Sequence, residues 1–177
     1  MSRALMIGRF QPFHLGHLSL VKYILERHDE VIIAVASAQF NYLLKDPFTA
    51  GERIWMIHES LKEEHIPLER CYIVALTNDE NNARWYAHLK SYTPRFDTVY
   101  TGNEYVAMLL RDESIDVRSP TLFNREEYNA SRIRESMLEG NEWRPLVPRA
   151  VARIIDEIDG VHRLKVIARA ESRPQEW

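Results

Sequence analysis

Four short runs of nearly continuous apolar or β-forming residues, ALMIG (4–8), VIIAVAS (31–37), CYIVAL (71–76) and TVYTG (98–102), alternate along the chain with stretches of helical periodicity. A strand that is apolar throughout is covered on both faces, which a parallel sheet with helices on each side provides. The intervening stretches supply those helices. Leu18, Val21, Ile24 and Leu25 recur at helical spacing, as do Ile54, Ile57 and Leu61. Thr49 and Glu52 have the spacing of a capping box at the start of the second helix. Asn82 is placed to cap a third helix over ARWYAHLKSY, which Thr93-Pro94 ends, and EYVAMLLRD predicts a shorter fourth. VRSP (117–120) reads as an edge strand. The pattern therefore predicts α/β architecture, a doubly wound parallel sheet of about five strands.

From residue 129 onward the pattern is helical. NASRIRESML (129–138) has Asn129 as N-cap and Gly140 as its stop, and PRAVARIIDEIDG has Pro148 at its start and Gly160 as its stop. VHRLKVIARA follows, with a frayed tail expected from Glu171. No repeat or linker divides the 177 residues.

Composition narrows the function classes. A net charge of −3 gives no support to general nucleic-acid binding. Cys71 is the single cysteine, which excludes a disulfide framework and a cysteine-based zinc site and suits a reducing compartment. No apolar run reaches membrane-spanning length, and MSRALMIG is too short for a signal peptide. A cytoplasmic protein with no membrane and no nucleic-acid partner is the expectation.

In a parallel sheet, ligands collect where strands end and helices begin. GRFQPFHLGH (8–17) occupies that place after the first strand. Gly8 lets backbone run close to a ligand, Arg9 reaches for an anion, and the helix starting near His14 aims its positive end at the same space. His14 and His17, three residues apart with Gly16 between them, share one side of the first turn. These features describe a phosphate pocket. The histidines could instead be a metal pair, for which no third ligand stands nearby, or ordinary capping residues. The loop matches neither the P-loop nor the dinucleotide fingerprint.

The loop resembles the signature of the nucleotidylyltransferase superfamily, a variant of the HIGH motif of class I aminoacyl-tRNA synthetases. Together with SAQFNYLLKDPFTAGER, NDENNARW, TPRFDTVYTGN and YNASRIRESM, it resembles the archaeal-type nicotinamide-nucleotide adenylyltransferases from Arg3 to about Ala168. The resemblance implies a single Rossmann-like nucleotidylyltransferase domain over residues 1–177, with C-terminal helices over about 129–170. It implies transfer of AMP from ATP to nicotinamide mononucleotide (NMN), Mg²⁺ as cofactor, and a homo-oligomer, a hexamer being one form.

By resemblance, Arg9, His14, His17, Ser131 and Arg134 are the catalytic residues, and with Gly8, Phe10, Gly16, Lys45, Gly102 and Asn103 they bind ATP. Ser131 and Arg134 also share one side of a first helical turn, a second station for phosphate, although a capped, solvated helix would read the same way. This chain has Asn129-Ala130-Ser131 where such chains usually carry Ser-Gly-Thr, and Lys45 stands in for an arginine. Asp79, Asn82 and Trp85 would take NMN, Trp85 by stacking on the cationic nicotinamide ring; an indole there serves equally as a core residue. Arg53 either adds positive charge to the pocket or pairs with a helix neighbour. No metal ligand is assigned. Two alternatives have different sequels: an adenylyltransferase with another phosphate-monoester acceptor keeps the chemistry, whereas a non-catalytic nucleotide sensor would bind ATP without releasing pyrophosphate.

Overall fold

The computed structural model describes residues 1–120 and 128–172. Strands β1 (Arg3–Gly8), β2 (Glu30–Val35), β3 (Cys71–Ala75), β4 (Thr98–Tyr100) and β5 (Asp116–Arg118) form one sheet in the order β3-β2-β1-β4-β5. All four pairings are parallel. The chain winds outward through β1, β2 and β3, then crosses back to lay β4 on the other side of β1. The switch point therefore lies between β1 and β4, where the loops leaving the two strands diverge and open a crevice.

Helices α1 (Leu15–Leu25), α2 (Ala50–Glu63), α3 (Trp85–Tyr92), α4 (Glu104–Leu109), α5 (Ala130–Glu139), α6 (Arg149–Glu157) and α7 (Gly160–Ser172) complete the fold. Strand alternation divides the core. Met6, Ile33 and Val35 face one side and pack with buried residues of α1, α2, α5, α6 and α7. Leu5, Ile32 and Ala34 face the other side, against Leu89, Val99, Val106 and Leu110. Each central strand is thus apolar on both faces, for the reason its sequence suggested. None of the described helices is long and apolar enough to cross a membrane.

Local signals hold at most boundaries. The Thr49 hydroxyl accepts from the Glu52 N–H at 3.1 Å, and the Glu52 carboxylate accepts from the Thr49 N–H at 2.9 Å. Asn129 caps α5, and Gly140 ends it in the left-handed region at φ +77°. Two assignments differ. Asn81, not Asn82, supplies the cap, accepting from the Ala83 N–H at 3.0 Å; it starts a 3₁₀ turn over Asn82–Arg84, and α3 begins only at Trp85. Gly160 is not a stop but the first residue of α7, and Asp159 takes the positive φ (+51°) between the helices. Glycine is needed at 160 for space: a Cβ there would lie 3.0 Å from the Phe48 ring and 3.1 Å from Ile155 Cγ2.

Candidate active site

A cavity of about 700 Å³ opens at the switch point, lined by the ends of β1 and β4, the start of α1 and the loop after β3. A smaller one of about 230 Å³ continues it between the first loop and α5. Arg9, His14, His17 and Tyr128 border both.

The first loop is shaped from beneath. Phe10 has φ +52°, which turns its buried ring back under Gly8. A Cβ on Gly8 would lie 2.9 Å from that ring, so glycine is required here by close packing as much as by an opening to ligand. Gln11 is clipped to Phe48 in both directions, its amide donating to the Phe48 carbonyl at 2.9 Å and accepting from the Phe48 N–H at 3.0 Å.

His14 and His17 stack with ring centroids 3.5 Å apart. His14 Nδ1 accepts from the His17 N–H at 3.3 Å, and His17 Nδ1 accepts from the His14 N–H at 3.2 Å. A backbone amide only donates, so neither Nδ1 carries a proton and both neutral rings carry it on Nε2. Burial pushes His14 down to about 4. Burial, and then the neighbouring His14, push His17 well below the usual histidine range. The pair is therefore neutral at pH 7, not cationic, and offers two Nε2–H donors. Gly16 is held between this pair and Tyr128: a Cβ would lie 3.0 Å from Tyr128 Cβ and 3.1 Å from the His14 ring.

Positive charge comes from arginines. The half-exposed Arg9 side chain reaches both oxygens of buried Asp46 at 3.4 Å. Buried Arg134 donates to the Gln11 carbonyl at 2.8 Å and to Ser131 Oγ at 3.3 Å, tying the first turn of α5 to the first loop. Ser131 and Arg134 face the smaller cavity with Asn129 and Ala130. Arg53 adds no charge to the pocket wall. It is fully buried and donates to the carbonyls of Arg9 and Ala36 (both 2.8 Å), Ser37 (3.2 Å) and Thr49 (3.2 Å), pinning the loops that leave β1 and β2.

At the far end, Asp79, Asn82 and Trp85 line the large cavity. Trp85 does so while packing against the second core. The Asn81 N–H, donating to Asp79 at 2.8 Å, holds the Asp79 carboxyl below its usual range; burial opposes this, and Arg84 and then His88 each lower it further by smaller amounts. Gly102 and Asn103 line the same cavity, and Asn103 also caps α4 by accepting from the Tyr105 N–H at 3.0 Å.

Lys45 is the exception among the expected residues: it is exposed and borders neither cavity. Reciprocal backbone bonds between Leu43 and Asp46 turn this segment so that Asp46, not Lys45, faces the loop. Several lining residues escaped the sequence reading, among them Ser37, Asn78, Thr101, Tyr105 and Tyr128. Ser37, Asn78 and Thr101 each follow a strand, and applying the strand-end rule to every strand would have found them.

A parallel sheet whose switch-point cleft carries an HxGH turn and a second polar helix start defines a nucleotidyl-transferring α/β protein, and the cytidylyltransferase-like family model matches residues 5–136. The chain is 54% identical to the nicotinamide-nucleotide adenylyltransferase of Caldivirga maquilingensis and 52% identical to that of Pyrobaculum arsenaticum, over 100% of each chain in both comparisons. It belongs to the nicotinamide-nucleotide adenylyltransferases. The fold is similar to a bifunctional NMN adenylyltransferase/ADP ribose pyrophosphatase of Francisella tularensis, complexed with AMP and a manganese ion, at a TM-score of 0.74 and 19% identity over 93% of this chain and 52% of that one.

Proposed function

We propose that the two ends of the cleft divide the family's reaction between them, the first loop and α5 holding the triphosphate of ATP and the loop after β3 holding NMN. The reaction moves AMP from ATP to NMN, giving NAD and pyrophosphate. An oxygen of the NMN phosphate attacks the α-phosphorus of ATP; the bond from that phosphorus to the bridging oxygen breaks, and pyrophosphate leaves. The attacking oxygen is already anionic near pH 7, so no general base is required. What the protein supplies is alignment and stabilisation of negative charge.

The observation that carries this reading is the convergence of Arg9, His14, His17, Ser131 and Arg134 on one small cavity that opens into the larger one. His14 and His17 donate to phosphate oxygens through Nε2–H, and the Arg9 and Arg134 guanidiniums and the Ser131 hydroxyl take the departing pyrophosphate. Gly8, Phe10 and Gly16 set the shape of the turn beneath the phosphates, and Gly102 and Asn103 adjoin the adenosine. Trp85 stacks on the nicotinamide ring, with Asp79 and Asn82 hydrogen-bonding its carboxamide or ribose.

Mg²⁺ is the proposed cofactor. It takes phosphate oxygens and water as ligands, and among the described residues no group of three or more His, Cys, Asp or Glu could hold an ion. Such a cation would be carried in on the nucleotide phosphates. A homo-oligomer is proposed on the family resemblance alone.

Arg9→Ala and Ser131→Ala test the division. Each is expected to raise KM for ATP by about tenfold or more while leaving KM for NMN nearly unchanged. The reverse pattern would place these residues at the acceptor end.

A further inference from the structure

Outside the residues assigned above, one titratable side chain stands directly behind the acceptor end of the cleft. His88, on α3, lies with its Nε2 2.7 Å from the Thr77 carbonyl oxygen and its Nδ1 3.9 Å from Asp79 Oδ2. A carbonyl oxygen only accepts, so Nε2 carries a proton in every state of the ring. In the neutral ring Nδ1 is then a bare lone pair turned toward a carboxylate; on protonation it becomes a donor facing that carboxylate. Both side chains are mostly buried, at 16% and 17% exposure, so the change is poorly screened by solvent.

Asn81, Arg84 and Tyr92 also contact this pair. Asp79 Oδ1 accepts from the Asn81 N–H and has Arg84 at 3.5 Å, and the Arg84 side chain is 69% exposed and therefore a weak partner. The Tyr92 ring packs on His88 at 4.8 Å between centroids. Asp79 lines the cleft while His88 does not, so protonation of His88 reaches the ligand only through Asp79.

A carboxylate in the wall of an acceptor pocket accepts a hydrogen bond from a carboxamide N–H₂ and repels a carboxylate. NMN carries the first group, and its deamidated analogue carries the second on an otherwise identical molecule. We propose that Asp79 selects the amide over the acid form of the mononucleotide, and that His88 is the positioning residue which relaxes this selection when it is protonated. The inference rests on the reading that Asp79 borders the acceptor site. With His88 neutral, the Asp79 carboxylate keeps most of its negative charge toward the cleft and favours the amide; with His88 protonated, that charge is compensated further and the acid form is tolerated.

The experiment is the ratio of kcat/KM for NMN to that for nicotinic acid mononucleotide, from pH 5.5 to 8.5, in the wild type, His88→Gln and Asp79→Asn. Both acceptors carry the same titrating phosphate, with a pKa near 6, so its ionisation cancels in the ratio. The wild-type ratio is expected to be high at pH 8 and to fall by roughly tenfold toward pH 5.5. Gln at 88 retains an amide donor for Thr77 but cannot titrate, so its ratio should stay high throughout. The Asp79→Asn ratio should be low and flat. A wild-type ratio that does not change with pH, or a His88→Gln ratio that falls as steeply as wild type, would overturn the proposal while leaving the site assignment standing. Wild-type protein that forms dinucleotide from neither acceptor would overturn the site assignment and the proposal with it.

Discussion

At the scale of single residues, His14 and His17 line the cleft as a stacked pair, the Nδ1 of each accepting from the other's backbone N–H. GRFQPFHLGH was legible because loop, helix start and spacing are local. The neutrality of His14 and His17 was not, because it depends on tertiary crowding: Phe10 and Phe13 lie 4.8 and 5.5 Å from the His17 ring, and the two rings cap each other's backbone. Two neutral histidines, His14 buried and His17 half-buried, make stability depend on pH. Above pH 6.5 they are neutral in folded and unfolded chains alike. Below 6.5 the unfolded chain binds protons that the folded one refuses, so stability falls with pH, and for His14 the loss ends near pH 4, where the folded form protonates too. Denaturant titrations at pH 7.5 and pH 5 should show this loss, and His14→Asn, which retains a capping oxygen, should reduce it. An equal loss in wild type and variant would remove His14 from the account. Asp46, in a loop, and Arg53, on α2, were hidden for the same reason, since a charged residue in a sequence gives no sign of being buried.

At the scale of elements, boundaries set by local chemistry were readable and those set by packing were not. The Thr49 and Glu52 capping box is local and formed as expected. Gly160 ended a helical pattern and read as a stop, yet its lack of a side chain answers to Phe48 and Ile155, which are distant or buried partners that spacing does not reveal. The same box also does long-range work. Both oxygens of Glu52 accept from Arg163 of α7, at 2.7 and 2.8 Å, and Arg163 also donates to the Pro47 carbonyl at 3.3 Å and lies over the Tyr42 ring. Nearby, the Leu44 N–H donates to Glu171 of α7 at 2.8 Å. The last helix thereby holds the segment that carries Asp46 toward Arg9. Arg163→Ala strands a mostly buried carboxylate and should cost about 3 kcal/mol in urea unfolding, accompanied by a higher KM for ATP. A change within a few tenths of a kcal/mol would show that the pair is only a surface contact.

At the scale of the whole molecule, the alternation of apolar runs and helices identified a doubly wound parallel sheet, but strand order was not in the pattern; it follows from which strand the chain returns to pair with after α3. That return creates the cleft, and the cleft explains why two motifs more than a hundred residues apart, at His17 and Ser131, border neighbouring cavities. On the proposed function it also separates two tasks along one groove, phosphates at the β1 and α5 end and acceptor at the β3 end. The most direct measurement of that separation is steady-state NAD formation from ATP and NMN by the wild type, His17→Ala and Trp85→Ala. Losing His17 removes charge stabilisation during transfer and should lower kcat by about a hundredfold with KM for NMN nearly unchanged, whereas losing Trp85 should raise KM for NMN about tenfold with kcat within a few-fold of wild type. Near-normal kcat in His17→Ala, or an unchanged KM for NMN in Trp85→Ala, would contradict the division of the cleft on which the account rests.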